Sequence, residues 1–160
     1  MPAELTLPED TRSDAAAVRT LAHPLRSRLF GALRRGGPGT ATSLAAQLGT
    51  NSGATSYHLR KLAEVGLVVD APGRTGRERH WEAASGNPSW KPSDFPDDED
   101  AATALSWLER DYIRHFAEKA EEWLDHQDDW PAEWIDVLRM ADSPALVDVT
   151  QMRRLRDELG

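Results

Sequence analysis

Residues 51–62 read NSGATSYHLRKL, Asn51 to Leu62, a helix-sized segment without one carboxylate in a 160-residue chain whose formal net charge is -8. Ser52 predicts an N-cap, and the helix runs from Gly53 to about Val65, where Gly66 suits the left-handed residue that succeeds a helix. Just upstream, Thr42 to Leu48 predicts a short helix with Leu44, Ala45 and Leu48 on its inner side. The spacing between the two is informative. Ala45 must be small where the helices touch, and Gly49, four residues on, supplies a turn with φ > 0. Leu44, Leu48, Leu59 and Leu62 form their shared core. Burying those four turns Ser52, Gly53, Ser56, Tyr57 and Arg60 outward by helical periodicity. A face of small hydroxyls at a helix N-terminus, free of acids and ending in Arg60 and Lys61, suits insertion into a DNA major groove.

The residues after Gly66 complete the pattern. Leu67-Val68-Val69-Asp70 predicts a strand, Gly73-Arg74-Thr75-Gly76 a turn, and residues 77–82 an alternating return strand, so a β-hairpin comes straight after the helix pair. Two helices, a glycine turn and a hairpin make a winged helix-turn-helix. Upstream, Ser13 predicts an N-cap for a helix over Asp14–Leu21. His23-Pro24 interrupts it, because a residue before proline is pushed out of the α region. Pro24 then opens a helix from Leu25 to Arg35, with Leu25, Leu29, Phe30 and Leu33 on one face.

Charge is partitioned along the chain. Residues 12–81 hold eleven Arg or Lys against four Asp or Glu, a net +7, whereas residues 82–160 hold eight bases against twenty acids. The basic half coincides with the winged helix-turn-helix, which points to a polyanion as its partner. With no cysteine in the chain, disulfides, thiolate metal sites and cysteine nucleophiles are excluded. No apolar run reaches the roughly 18 residues of a membrane span, and the N-terminus lacks the features of a signal peptide, so a cytoplasmic protein without a membrane partner is expected. There is no phosphate loop and no G-x-S-x-G. Ser56 and His58, two apart on one helix, cannot pair as nucleophile and base. No catalytic residue is assigned and no enzyme is expected.

The order and separation of LAHPLRSRLFGALRRGG, SLAAQLG, SYHLRKLAEVGLV and GRTGRERHW, over about residues 16–82, resemble the ArsR-type winged-helix bacterial transcription regulators. The resemblance implies a homodimer, a recognition helix at residues 53–65 and a wing at residues 70–79. Thr55 stands where that family usually carries an apolar β-branched residue. Candidate DNA-binding residues are Ser52, Gly53, Ser56, Tyr57 and Arg60 on the helix, with Arg74, Arg77 and Arg79 on the wing. His58, in phase with Ala54 and Leu62, is expected to be a half-buried structural residue.

The remainder is a Pro-rich acidic linker at residues 85–100 and a C-terminal dimerisation or regulatory region at 101–160, after a flexible tail at 1–13 and the DNA-binding domain at 14–84. A long helix over about 101–127 carries Leu105, Leu108, Tyr112, Phe116, Ala120 and Trp123 in one stripe, which needs a partner surface. Residues 134–138 and 145–149 predict two short strands, and Thr150 caps a last helix. The fold class is mainly α with small β: a winged helix-turn-helix, a long dimerisation helix and a small C-terminal α/β appendage. Trp107, Trp123, Trp130 and Trp134 read as core and dimer-contact residues.

Members of the resembled family are often metal sensors; their usual cysteine-based site is impossible here, and a second site type uses Asp and His on the long C-terminal helix. His115, His126 and Asp129 echo that spacing, but Ile113 stands where an Asp ligand is expected, and no metal or other cofactor is assigned. The functional expectation is a homodimeric, sequence-specific DNA-binding regulator acting on a double-stranded operator. Alternatives are a protein-protein adaptor working through its acidic half, and a repressor responsive to zinc or to a small-molecule effector.

Overall fold

The structure is a computed structural model, and it describes residues 15–71, 78–84, 88–137 and 146–159. The N-terminal tail with Ser13, the Gly73–Gly76 turn with Arg74 and Arg77, and the turn at residues 142–144 lie outside the described residues. Two compact units divide the chain, residues 1–117 and 118–160.

In the first unit the helices are α1 (Ala15–Leu21), α2 (Pro24–Gly36), α3 (Ala41–Leu48), α4 (Ser52–Glu64) and the first part of α5 (Glu99–His126). Proline opens α2 as expected, and His23 caps it, its Nδ1 accepting from the Leu25 amide at 3.2 Å. Thr40 caps α3 through a reciprocal box with Ser43, so α3 begins one residue earlier than its hydrophobic pattern indicates. Gly49 closes α3 at φ 64, in the left-handed region. The cap of α4 differs from expectation. Asn51, not Ser52, accepts from the Ala54 amide at 2.8 Å, and Ser52 is already helical. Both residues are good caps, and the one placed three before a free amide takes the role.

The hairpin of β2 (Val68–Asp70) and β3 (His80–Ala83) is present, with Val68 opposite Ala83 and Asp70 opposite Trp81. A third strand, β1 (Gly39–Thr40), lies antiparallel on the other side of β3 in the order β1-β3-β2. Two residues between a glycine turn and a helix cap carry no alternation, so the sequence does not announce it.

Side chains from every one of these helices meet in one core: Val18 and Leu21, Leu29 and Leu33, Leu44, Leu59 and Leu62, Val68 and Trp81, then Ala101, Leu105 and Leu108. Thr55 belongs with them, fully buried. Its hydroxyl donates to the Asn51 carbonyl at 3.0 Å, so the threonine presents its methyl group like the β-branched apolar residue of the resembled family and satisfies its oxygen locally. Gly53 is exposed and has an ordinary helical backbone, and a Cβ there would sit 3.4 Å from Asn51 Oδ1, a normal contact. Gly53→Ala is therefore expected to raise the unfolding free energy by about 0.5 kcal/mol. Urea denaturation measures this, and a loss of stability would contradict the packing described.

The acidic stretch before α5 is more ordered than a bare linker. Phe95 is buried against the core, Trp90 packs beside it, and residues Pro92–Asp94 form a 3-10 turn. Asp98 caps α5 at the Ala101 amide and pairs with Arg19 at 2.7 Å. These two donors hold its carboxyl below the usual range, the amide foremost. Ser27 of α2 donates to Asp111 of α5 at 2.8 Å.

In the second unit the expected strand over residues 134–138 is not found among its described residues, 134–137. Residues Ala132–Val137 form the helix α6, after a 3-10 turn at Gln127–Asp129. A pattern over five residues does not decide between strand and helix, and Pro131 directly precedes α6, its carbonyl accepting from the Trp134 amide at 2.9 Å. The last helix, α7, is Val149–Leu159. Its cap is Asp148 rather than Thr150, with Asp148 and Gln151 exchanging side-chain and backbone hydrogen bonds at 2.9 Å. Trp130 and Trp134 are exposed and rest on each other, ring centroids 6.2 Å apart, so they are not core residues of the described chain. Trp107 does pack on the first unit's core.

Candidate nucleic-acid interface

Helix α4 is seated by Thr55, Leu59 and Leu62, which are all buried. The opposite side carries Ser52, Gly53, Tyr57 and Arg60, all exposed, with Ser56 half-buried. All five helical candidates thus share the outer side of one helix. Ser52, Ser56 and Arg60, spaced by four, line an open cleft of about 300 Å³ together with Thr40, Ala41 and Thr42 from the start of α3 and Glu78, Arg79 and Trp81 from the wing. Helix α4 and the hairpin therefore converge on one concave surface. Four hydroxyls and two guanidinium groups face it, a donor-rich lining suited to phosphate and base-edge acceptors.

The charges around the cleft are not equally available. Among the described residues Arg60 has no carboxylate partner. Lys61, next to it, pairs with Glu64 at 2.7 Å, and that hydrogen bond holds its ammonium above its ordinary pKa. Arg79 is engaged twice. Its Nε and Nη2 donate to the Asp70 carboxylate, and its guanidinium carbon lies 3.9 Å from the centroid of the Trp81 ring. Glu78 accepts from the Thr42 hydroxyl at 3.0 Å. Arg74 and Arg77 fall outside the described residues. Sequence reasoning does not single out Thr40, Thr42, Asp70, Glu78 or Trp81. The Thr40-x-x-Ser43 box could have placed the first two at a helix start, whereas the pairing of Asp70 with Arg79 depends on hairpin register.

His58 lies behind this surface. It is half-buried, with Nδ1 shielded and lacking a hydrogen-bond partner, and its ring stacks on His23 at 4.5 Å while Tyr57 meets its edge at 5.1 Å. Both imidazoles are held below their ordinary value of 6.5, chiefly by burial. The Arg26 charge adds to this for each, and His23 adds to it for His58. A depressed folded-state pKa means that the unfolded chain binds more protons in the window just below 6.5, so stability rises with pH there. The unfolding free energy is expected to hold level from pH 8 to 7 and to fall as pH drops below about 6.5. Denaturant titrations at stepped pH measure the slope, which His58→Gln should reduce. An unchanged slope in that variant would assign the effect elsewhere.

Among the described residues no group of three or more His, Asp or Glu is placed to hold a metal ion. His126 Nδ1 lies 2.8 Å from the Glu122 carbonyl. No helix among the described residues is long and apolar enough to cross a membrane.

A helix-turn-helix domain family model matches residues 21–70, which contain α2 to β2. No curated protein matches the chain. Among solved structures, one described as a possible transcriptional regulator for arsenical resistance is 24% identical, with TM-score 0.39, over 78% of this chain and 97% of that one. The AntR antimony-specific transcriptional repressor is 26% identical, with TM-score 0.42, over 76% and 96%. RV1404 from Mycobacterium tuberculosis is 17% identical, with TM-score 0.37, over 78% and 77%. The matched stretch covers the α3-turn-α4 pair, and the hairpin of β2 and β3 follows it directly: residues 21–70 of this chain form a helix-turn-helix domain.

Proposed function

We propose that the protein is a homodimeric, sequence-specific transcriptional regulator that places α4 in the major groove of its operator and rests the wing on the flanking backbone. The observation that carries this reading is the exposed side of α4, where Ser52, Gly53, Ser56, Tyr57 and Arg60 lie together without a carboxylate among them. Ser52 and Ser56 are suited to hydrogen-bond base edges or phosphates, and Arg60 to G O6/N7 or the backbone. The wing residues Arg74, Arg77 and Arg79 contribute backbone contacts. Dimerisation is supported by α5, whose apolar stripe divides. Leu105 and Leu108 are buried in the core, while Tyr112, Ile113 and Phe116 are exposed, the last at 71%. A symmetric dimer would cover them and set two α4 helices about one DNA turn, roughly 34 Å, apart.

Fluorescence anisotropy tests the reading, with DNA from upstream of the protein's own gene and random duplex as control, at several salt concentrations. Selective binding that weakens steeply with salt is expected. Equal, weak and salt-independent binding to both duplexes would overturn it and turn attention to the acidic 118–160 unit as a protein-binding surface.

A further inference from the structure

The cleft between α4 and the wing contains its own counter-charges. Arg60 and Arg79 line it, but Glu78 lines it too, and Asp70 holds Arg79. The Asp70–Arg79 pair is an exposed one, with side chains 59% and 54% accessible. Nη2 to Oδ2 is 2.6 Å, and the second prong runs from Nε to Oδ1. Trp81, itself buried, is the fixed platform beneath the guanidinium. A carboxylate and a phosphodiester present the same pair of oxygens to a guanidinium fork, so both compete for one edge of it. The mutual contact holds the Asp70 carboxyl below and the Arg79 guanidinium above their ordinary values, the hydrogen bond being the main cause in each case.

We propose that Asp70 is a built-in competitor for DNA phosphate: it occupies the edge of Arg79 that a backbone phosphodiester entering the cleft would take. Arg79 then engages DNA only by exchanging a carboxylate for a phosphate. This rests on the DNA-binding reading and adds a restraint to it. A neutral pair releases few condensed counterions from the duplex, so in the wild-type protein Arg79 adds little to the salt dependence of binding. Because a phosphate contact carries no base information, the restraint acts equally on all sequences. Its role is to hold down indiscriminate affinity, leaving selection to α4.

Asp70→Asn is the test, in the full-length protein, against both upstream and random duplexes. The expected result is tighter binding by a similar factor on both, with the slope of log K against log salt steeper by about 0.9 for each engaged wing. Glu82→Gln is the control, since it removes the same unit charge from the adjacent strand position opposite Val69, and it should not steepen the slope by this amount. Asp70→Asn/Arg79→Ala should return to the wild-type slope. The proposal is overturned if Asp70→Asn moves the slope no more than Glu82→Gln does, or if it weakens binding, which would make Asp70 a positioning residue for Arg79. Arg60→Ala separates the two levels. If it abolishes binding while Asp70→Asn changes nothing, the regulator reading stands and the competitor does not. If wild type shows no salt-dependent binding at all, both fall.

Discussion

Leu59→Ala is expected to destabilise the protein by about 2–5 kcal/mol. Leu59 is wholly inaccessible to solvent and shares its cluster with Leu21, Leu29 and Leu62, where α1, α2 and α4 meet. Truncation removes the transfer free energy of the lost carbons and leaves a cavity that the packed helices only partly close. Chemical denaturation at pH 7.5 reads the change directly, and a loss below about 1 kcal/mol would show that α4 is not seated as described. The loss of folded protein should carry DNA binding with it at elevated temperature, without a change in the salt slope of the fraction that remains folded.

Arg60→Ala, the next residue along, should do the opposite. Its side chain is exposed and without a carboxylate partner among the described residues, so folding stability is expected to move by no more than about 0.5 kcal/mol. DNA affinity should fall by about 1–3 kcal/mol per recognition helix, which is roughly ten-fold or more. If Arg60 contacts a base, the loss is greatest on the preferred sequence and selectivity relaxes. If it contacts phosphate, the loss is uniform and the salt slope drops by about 1. An Arg60→Ala protein that binds both duplexes like wild type would remove α4 from the reading surface. The contrast between neighbouring substitutions is diagnostic, because one side of α4 is buried in the core and the other is exposed.

Elements whose determinants are local are legible in the sequence. Pro24 opens α2, Gly49 and Gly66 lie at positive φ after their helices, and Leu44, Leu59 and Leu62 fall inward. Each depends on a residue's own backbone preference or on a spacing of three and four, and those operate within a few positions. Where two local signals compete, the sequence does not choose between them. Ser52 and Asn51 are both capable caps, and the five residues around Trp134 fit a strand pattern as readily as the short helix α6.

The outward face of α4 is determined by the sequence alone, because burying Leu59 and Leu62 leaves Ser52, Ser56 and Arg60 no other direction. What the cleft does with its charges is not. Pairing of Asp70 with Arg79, stacking of Arg79 on Trp81 and the Thr42–Glu78 contact join residues 9, 2 and 36 positions apart. They exist because β3 lies between β1 and β2 and sets Asp70 opposite Trp81. A net charge of +7 over residues 12–81, read from the sequence, indicates an affinity for polyanions. Hairpin register decides that Arg79 is already neutralised, while Arg60 has no carboxylate partner among the described residues, since short-range ion pairing depends on distance in space and not on order in the chain.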